Sequence, residues 1–258
     1  NCDTLFTTES SIDQLKQSIL QLAVMGKLVE QDANDETVSE LLKQMEIERD
    51  ELYRSKKTKR KKKLPPIDKD EERGPLPHGW EYVRLNDIGD WGAGATPRRG
   101  DIALYGGDIP WFKSGELTGD YIETSEETVT ELALEKSSLR FNKAGDVLMA
   151  MYGATIGKTS ILRVPATTNQ AVCACTPFTG VFNEYLLTLL KALKRDFTEM
   201  GAGGAQPNIS TEKIIHTVSA LPPTTEQHRI VAIVDELMAL FDALKAKLFA
   251  AQATHRTL

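Results

Sequence analysis

TTEQHRIVAIVDELMALFDALKAKL, residues 224–248, is the stretch whose spacing sets the architecture of this 258-residue chain. Ile230, Val234, Leu237, Phe241, Leu244 and Leu248 alternate steps of four and three, the interval that lines one seam of an α-helix and invites a second helix to pack along it. Thr224 and Gln227 stand at capping-box spacing for its start, and Pro222-Pro223 exclude an earlier one. No glycine or proline follows Pro223. At about 1.5 Å per residue the helix approaches roughly 50 Å, longer than the body of a small domain needs. The spacing therefore predicts a projecting helix whose seam needs a partner, against the competing reading of a terminal helix folded back on its own core.

The other end of the chain offers a matching seam, which favours the projecting rod. Ile12, Leu15, Ile19 and Leu22 repeat the three/four spacing, with Ser11 and Gln14 as a capping box and Gly26 as stop or kink. A second helix is expected from a Thr37 cap with Glu40 three residues on, and Val38, Leu41, Leu42, Met45 and Leu52 form its apolar stripe. The composition then changes. Residues 56–63, KKTKRKKK, are almost pure positive charge, followed by Pro65-Pro66 and an acidic run at 68–72. Such runs repel themselves, which predicts an extended linker or poorly ordered strap over 55–76. The basic run either lies along nucleic-acid phosphates or is solvated charge balanced by the acids. The second reading is preferred, because loose electrostatic attraction carries no sequence information.

From Leu76 to about Leu221 the pattern is that of a compact domain. Short apolar runs at Tyr82–Ile88, Ile109–Phe112, Asp146–Tyr152, Thr159–Val164 and Gln170–Phe178 lie between Gly, Pro and Asp turns and read as strands. One helix interrupts them, capped by Asn183, lined by Leu186, Leu189, Leu190, Leu193 and Phe197, and ended by Gly201. A glycine-rich loop, residues 201–205, then leads to Gln206-Pro207-Asn208.

The totals narrow the function. No apolar run approaches the ~20 residues of a membrane span, and no signal-peptide pattern is present, so a soluble, cytoplasmic protein is expected. Cys2, Cys173 and Cys175 form no disulfide framework, and Cys173-x-Cys175 reads as two buried core thiols on one face of a strand. A net charge of −6 argues against indiscriminate polyanion binding, so any nucleic-acid role needs locally concentrated positive charge.

Two glycine-rich stretches invite cofactor readings and fail them. Tyr152 to Thr159 (YGATIGKT) has Tyr where a P-loop needs its first glycine, and an alternating β-branched stretch follows in place of a helix. It reads instead as a turn between two strands that displays Tyr152, Thr155 and Lys158. Gly92 to Arg99 (GAGATPRR) lacks the third glycine and following helix of a dinucleotide fingerprint. Its Arg98-Arg99 pair can fork onto guanine edges or phosphates, or be a solvated turn. The four histidines, His78, His216, His228 and His255, stand apart, and no nucleophile elbow, metalloprotease motif or amino-methyltransferase motif is present. Paired carboxylates occur in charge runs such as Glu126-Glu127.

The ordered series of short motifs resembles the DNA-specificity subunits of type I restriction-modification systems. It comprises Gly79-Trp80-Glu81 through Val83-Arg84-Leu85 and Asp87-Ile88, then Gly94-x-Thr96-Pro97, Tyr105 and Ile109-Pro110-Trp111. It continues with Gly145-Asp146-Val147-Leu148, Tyr152-Gly153, Ile156-Gly157-Lys158, Asn169-Gln170, Gln206 to Ser210, and Leu221-Pro222-Pro223-x-x-Glu226-Gln227. Leu15 to Gln21 and Gly26-Lys27-Leu28 also look like that family's conserved spacer. The resemblance implies an α+β fold: a β-rich target-recognition domain flanked by long helices that form an antiparallel coiled coil or helical bundle. It divides the chain into spacer helices 1–54, charged linker 55–76, recognition domain 77–222 and a long coiled-coil helix 223–258.

The resemblance further implies sequence-specific recognition of double-stranded DNA by a non-catalytic subunit that directs methylation and cleavage by other chains. Its partners are methyltransferase subunits, which hold S-adenosylmethionine, and an ATP- and Mg-dependent restriction-translocase subunit; the chain itself holds no cofactor or metal. Family members carry two recognition domains and this chain one, so it is either a fragment or a half-subunit. Two helical ends, Ile12–Leu22 and Ile230–Leu248, are then left for a second copy, and an isologous homodimer is expected. The DNA-facing expectation falls on loop residues able to make bidentate contacts: Arg98, Arg99, Lys113, Ser114, Tyr152, Thr155, Lys158, Gln206 and Asn208. Asn169-Gln170 can equally be internal hydrogen-bonding residues.

Overall fold

A computed structural model of the chain describes residues 9–55, 64–202 and 207–256, without the side chains of 9–10 and 251–256. The basic run 56–63, Cys2, Gln206 and most of the glycine-rich loop lie outside the described residues. Two N-terminal helices, α1 (Glu9–Val24) and α2 (Val38–Arg54), precede the β-rich body. The body runs β1 (Glu81–Arg84), β2 (Gly89–Ala93), β3 (Tyr105–Phe112), β4 (Tyr121–Ile122), β5 (Glu127–Val129), α3 (Glu131–Lys136), β6 (Val147–Ala150), β7 (Thr159–Leu162), β8 (Thr167–Thr168) and β9 (Val172–Pro177). It closes with α4 (Asn183–Ala192), α5 (Lys194–Gly201), α6 (Thr211–His216) and β10 (Val218–Leu221), and α7 (Thr224–Arg256) leaves it. The α+β architecture is the expected one. Among the described residues no helix is long and apolar enough to cross a membrane.

The strands form three sheets. Five are ordered β2-β9-β6-β7-β4, antiparallel except for the parallel β4/β7 edge, and three are ordered β5-β3-β8, with β3/β8 parallel. The third sheet is a clasp. β1 pairs antiparallel with β10, Glu81 opposite Leu221 and Arg84 opposite Val218, so the chain enters and leaves the body side by side. This pairing brings the N-terminal helices and α7 to one flank. There α4, buried through Tyr185, Leu186, Leu187, Leu189 and Leu190, lies between β6 and β7 on one side and α1 and α7 on the other. Cys173 and Cys175 are buried in β9, and burial pushes Cys175 well above the ordinary thiol range.

Several local expectations are corrected. The run Tyr82–Ile88 is not one strand: a 3₁₀ turn at Leu85–Asp87 breaks it, with Leu85 N–H donating to Thr217 O (3.0 Å) and Trp91 Nε1 to Leu85 O (2.6 Å). The helix expected to run from Asn183 to Gly201 breaks at Leu193. The Ala192 carbonyl accepts instead from Gln17 and Gln21 of α1, at 3.2 and 2.7 Å. Asn183 is the first helical residue and not the cap, α1 begins before Ser11, and Thr37 takes its N-cap position without a side-chain cap bond. The second half of the expected linker lies against the body. The buried guanidinium of Arg84 makes a bidentate pair with Glu71 (2.8 and 2.9 Å) and donates to the carbonyls of Pro65, Pro66 and His216.

The helical ends also differ from expectation. Thr224 and Gln227 do not form a local capping box. Thr224 Oγ1 donates to Gly180 O (2.8 Å), while the buried Gln227 amide accepts from Phe182 N–H (2.7 Å) and donates to Gly180 O and Pro222 O (3.1 and 3.0 Å). Glu226, also buried, accepts from Trp80 Nε1 and Gln31 Nε2, both at 2.9 Å. Side chains at the base of α7 thus bolt the rod to the body. Along the rod, Ile230, Val231 and Val234 are buried and Leu237, Phe241, Leu244 and Leu248 half-buried. α1 of the same chain lies antiparallel on it, with ion pairs Lys16–Asp242 and Lys245–Asp13. The two ends therefore cover each other in cis, and are not both left open to a second copy. The buried face of α1 is Ile12, Leu20 and Ala23; Leu15 and Ile19 are half-buried, and Leu22 faces out because the crevice also takes Gln17 and Gln21.

Candidate nucleic-acid interface

The antiparallel order of the five-stranded sheet puts the end of β2, the start of β9, the end of β6 and the start of β7 at one edge. Ala93 stands opposite Cys173, Ala150 opposite Val172, and Met149 opposite Thr159. β3 and β8 end beside them, joined where Asn169 N–H donates to Phe112 O (2.9 Å). Loops starting at 94, 113, 151 and 169 consequently emerge together. The segment 207–209 joins them, because Gly153 N–H donates to Pro207 O and Ile209 N–H to Met151 O, both at 2.9 Å.

Local chemistry fixes the rim. Gly94 N–H donates to Val172 O and Ala95 N–H to Thr168 O, both at 3.0 Å, drawing the loop so close that a Cβ on Gly94 would lie 2.1 Å from Thr168 O. Thr96 Oγ1 then bonds Gln170 Oε1, and Asn169 Oδ1 accepts from Ala171 N–H (3.1 Å). Tyr105 OH and Trp111 Nε1 donate to Pro97 O (2.6 Å) and Ala95 O (3.0 Å), so two aromatic side chains brace the same loop from below. On the far side, Gly153 and Gly157 take positive φ (60° and 76°) to turn the chain from β6 into β7, and Thr155 Oγ1 donates to Tyr152 O (2.7 Å).

The expected site residues fall into three sets. Tyr152, Thr155, Lys158 and Asn208 form one surface patch, Tyr152 and Asn208 joined by a backbone bridge and both exposed. Arg98 is exposed on the neighbouring loop; among the described residues neither its guanidinium nor the Lys158 ammonium has an ion-pair partner. Arg99, Lys113 and Ser114 lie around β3, and both cations there are paired with carboxylates. The Arg99 guanidinium pairs with the Glu127 carboxylate and lies over the rings of Tyr105 (5.0 Å) and Trp111 (4.8 Å). Lys113 Nζ donates to Glu126 (2.7 Å) and Glu127 (3.2 Å), and Ser114 starts a half-buried 3₁₀ turn. Arg99 holds the Glu127 carboxyl below its ordinary range, and Glu126 with Glu127 raises Lys113. Gln206 lies outside the described residues.

Sequence reasoning missed the roles of Glu126 and Glu127, and it named Thr96 and Gln170 without seeing that they meet. The acids looked like solvated charge, and no sequence signal joins Thr96 to a glutamine 74 positions on. Among the described residues no group of three or more His, Cys, Asp or Glu is gathered as a metal site. The rim offers a free guanidinium, an ammonium, exposed amides and a phenol, which suits it to bidentate and single hydrogen bonds with planar polar edges.

The family described as the type I restriction modification DNA specificity domain matches residues 77–250. The chain is 34% identical over 267 residues to the type I restriction enzyme EcoEI specificity subunit of Escherichia coli, covering 98% of this chain and 44% of that one. It is 34% identical over 259 residues to the EcoAI specificity subunit of the same organism, covering 94% and 42%. The chain thus spans less than half the length of these curated relatives. Among solved structures, it matches an HsdS subunit from Thermoanaerobacter tengcongensis with TM-score 0.57 and 20% identity, over 93% of this chain and 51% of that one. A chain from a study of complex assembly and conformational transition in the type I R-M system gives TM-score 0.61 and 20% identity, over 96% and 55%. At that identity the two structures speak for the fold alone.

Proposed function

The chain belongs to the type I restriction modification DNA specificity family, and from that premise we propose that it reads one block of double-stranded DNA sequence through the loop rim of its five-stranded sheet. The observation that carries the reading is the gathering of the loops at 94, 113, 151 and 169 and the segment 207–209 at one edge, with Arg98 and Lys158 unpaired there among the described residues. Arg98 suits guanine, Asn208 suits adenine, and Lys158 suits guanine or phosphate. The chain supplies the address and carries out no chemistry. Methylation and cleavage fall to methyltransferase subunits and a restriction-translocase subunit, which bring S-adenosylmethionine, ATP and Mg. The rods are the docking ground for these partners and set the spacing between recognition blocks.

A second copy is proposed to pack on the outward face of α7, where Ile233 and Leu240 are exposed and Leu237 and Leu244 half-buried at three/four spacing. On α1, Leu15 is half-buried and Leu22 exposed. Selection of bound duplexes from a random pool, at stated salt, with and without methyltransferase subunits, tests the reading. One enriched block is expected; detectable S-adenosylmethionine binding or DNA cleavage by the purified chain would replace it with an enzyme.

A further inference from the structure

The cations of the rim are not equivalent. Two are paired in place with the same carboxylate, the second of them also with Glu126, and the loops that carry them are stapled around it. Glu127, on β5 opposite Trp111, takes Arg99 from the β2–β3 loop and Lys113 from the end of β3. The Arg99 guanidinium also lies over the edge-to-face Tyr105 and Trp111 rings, while its side chain stays exposed. Around Lys113 the backbone is tied as well: its N–H donates to Glu116 Oε2, Glu126 N–H donates to Glu116 Oε1 (both 2.7 Å), and Ser125 Oγ donates to Glu127 O (2.6 Å). On the same rim Arg98 is exposed and, among the described residues, unpaired.

We propose that Glu127 is a positioning residue for sequence discrimination: it holds Arg99 and Lys113 off the DNA phosphates and braces the loop that presents Arg98. The inference rests on the DNA-reading assignment above. Phosphate attraction is indifferent to sequence, and each cation that neutralises a phosphate steepens the logarithmic salt dependence of binding by about 0.9. A rim with every cation free would bind any duplex; a rim with two of them tied to Glu127 depends on what its remaining donors meet. Glu127 therefore improves selectivity by subtracting charge, at a place where a nucleic-acid site would be expected to gather it.

The test compares random and selected duplexes over a salt series with the full chain. Glu127→Gln should bind random duplex roughly threefold to tenfold more tightly at low salt, with a salt slope steeper by about 1 and a smaller ratio of selected to random affinity. Glu127→Asp should return the slope toward wild type, and Glu126→Gln should leave it there, since Lys113 keeps Glu127. The double variant Arg99→Ala, Lys113→Ala should keep the wild-type slope on random duplex, because those cations do not reach phosphate. A merely structural role for Glu127 would weaken both affinities without steepening the slope, and that result overturns the inference, as does a shallower slope in the double variant. Wild-type protein that prefers no duplex, with or without methyltransferase subunits, overturns the DNA-reading assignment itself and is distinguishable from either.

Discussion

At the scale of single residues, some polar side chains are spent on the fold and others are left to meet a ligand. Arg98 and Arg99 are neighbours of identical chemistry and both are exposed, yet Arg98 has no ion-pair partner among the described residues while Arg99 pairs with Glu127 and lies over Tyr105 and Trp111. Arg98→Ala should cost about 1 to 3 kcal/mol at a matched sequence and relax preference at one position, as read by competition between single-base variants. Uniform weakening would reassign Arg98 to phosphate. Gly94→Ala should lower stability by about 1 to 3 kcal/mol in denaturant titration, because the new methyl meets Thr168 backbone at 2.1 Å in a place where the strands cannot separate. The sequence made residue types and loop placement legible at this scale. It could not show commitment: Arg99 lies 28 positions from Glu127 and Lys113 lies 14, and an ion pair at those separations leaves no local pattern.

At the scale of elements, the strongest periodicities were the most legible. The three/four spacing after Pro223 became α7, and the short apolar runs containing 147–150, 159–162 and 172–177 became the centre of the main sheet. Short pieces were not legible: β4 and β8 have two residues each and draw their order from partners far along the chain. The capping-box residues of α7 were found for the wrong reason, since their side chains reach across to the body instead of back to their own helix. Gln227→Ala should therefore cost about 1 to 3 kcal/mol, removing the side-chain partner of the part-buried Phe182 N–H and of the Pro222 carbonyl while Gly180 O keeps Thr224, whereas losing a solvent-exposed helix cap costs less. The same junction has a pH signature. Arg229 pairs with Asp35 at 2.5 Å and holds its carboxyl below the ordinary range, so the pair stabilises the fold at neutral pH and loses that contribution as pH falls through the depressed value. Asp35→Asn should cost about 1 kcal/mol at pH 7, with the difference from wild type vanishing in acid.

At the scale of the whole molecule, the chain is a β-rich body clasped at its base by β1 and β10 and mounted on a rod that α1 already half covers. The sequence showed two matching seams but not that they meet within one chain, because spacing carries no information about which copy supplies the partner. The remaining outward stripe sets the prediction for assembly. Light scattering should give the mass of two chains at micromolar concentration, and Leu240→Glu should reduce it to one without altering the unfolding midpoint of the body. The central claim, that the loop rim of the five-stranded sheet reads base edges, is met most directly by position-resolved enrichment from a random duplex pool for wild type, Arg98→Ala and Asn208→Ala. One enriched block is expected for wild type, with preference lost at a different single position in each variant; enrichment patterns identical in all three proteins would overturn the assignment of the rim to base reading.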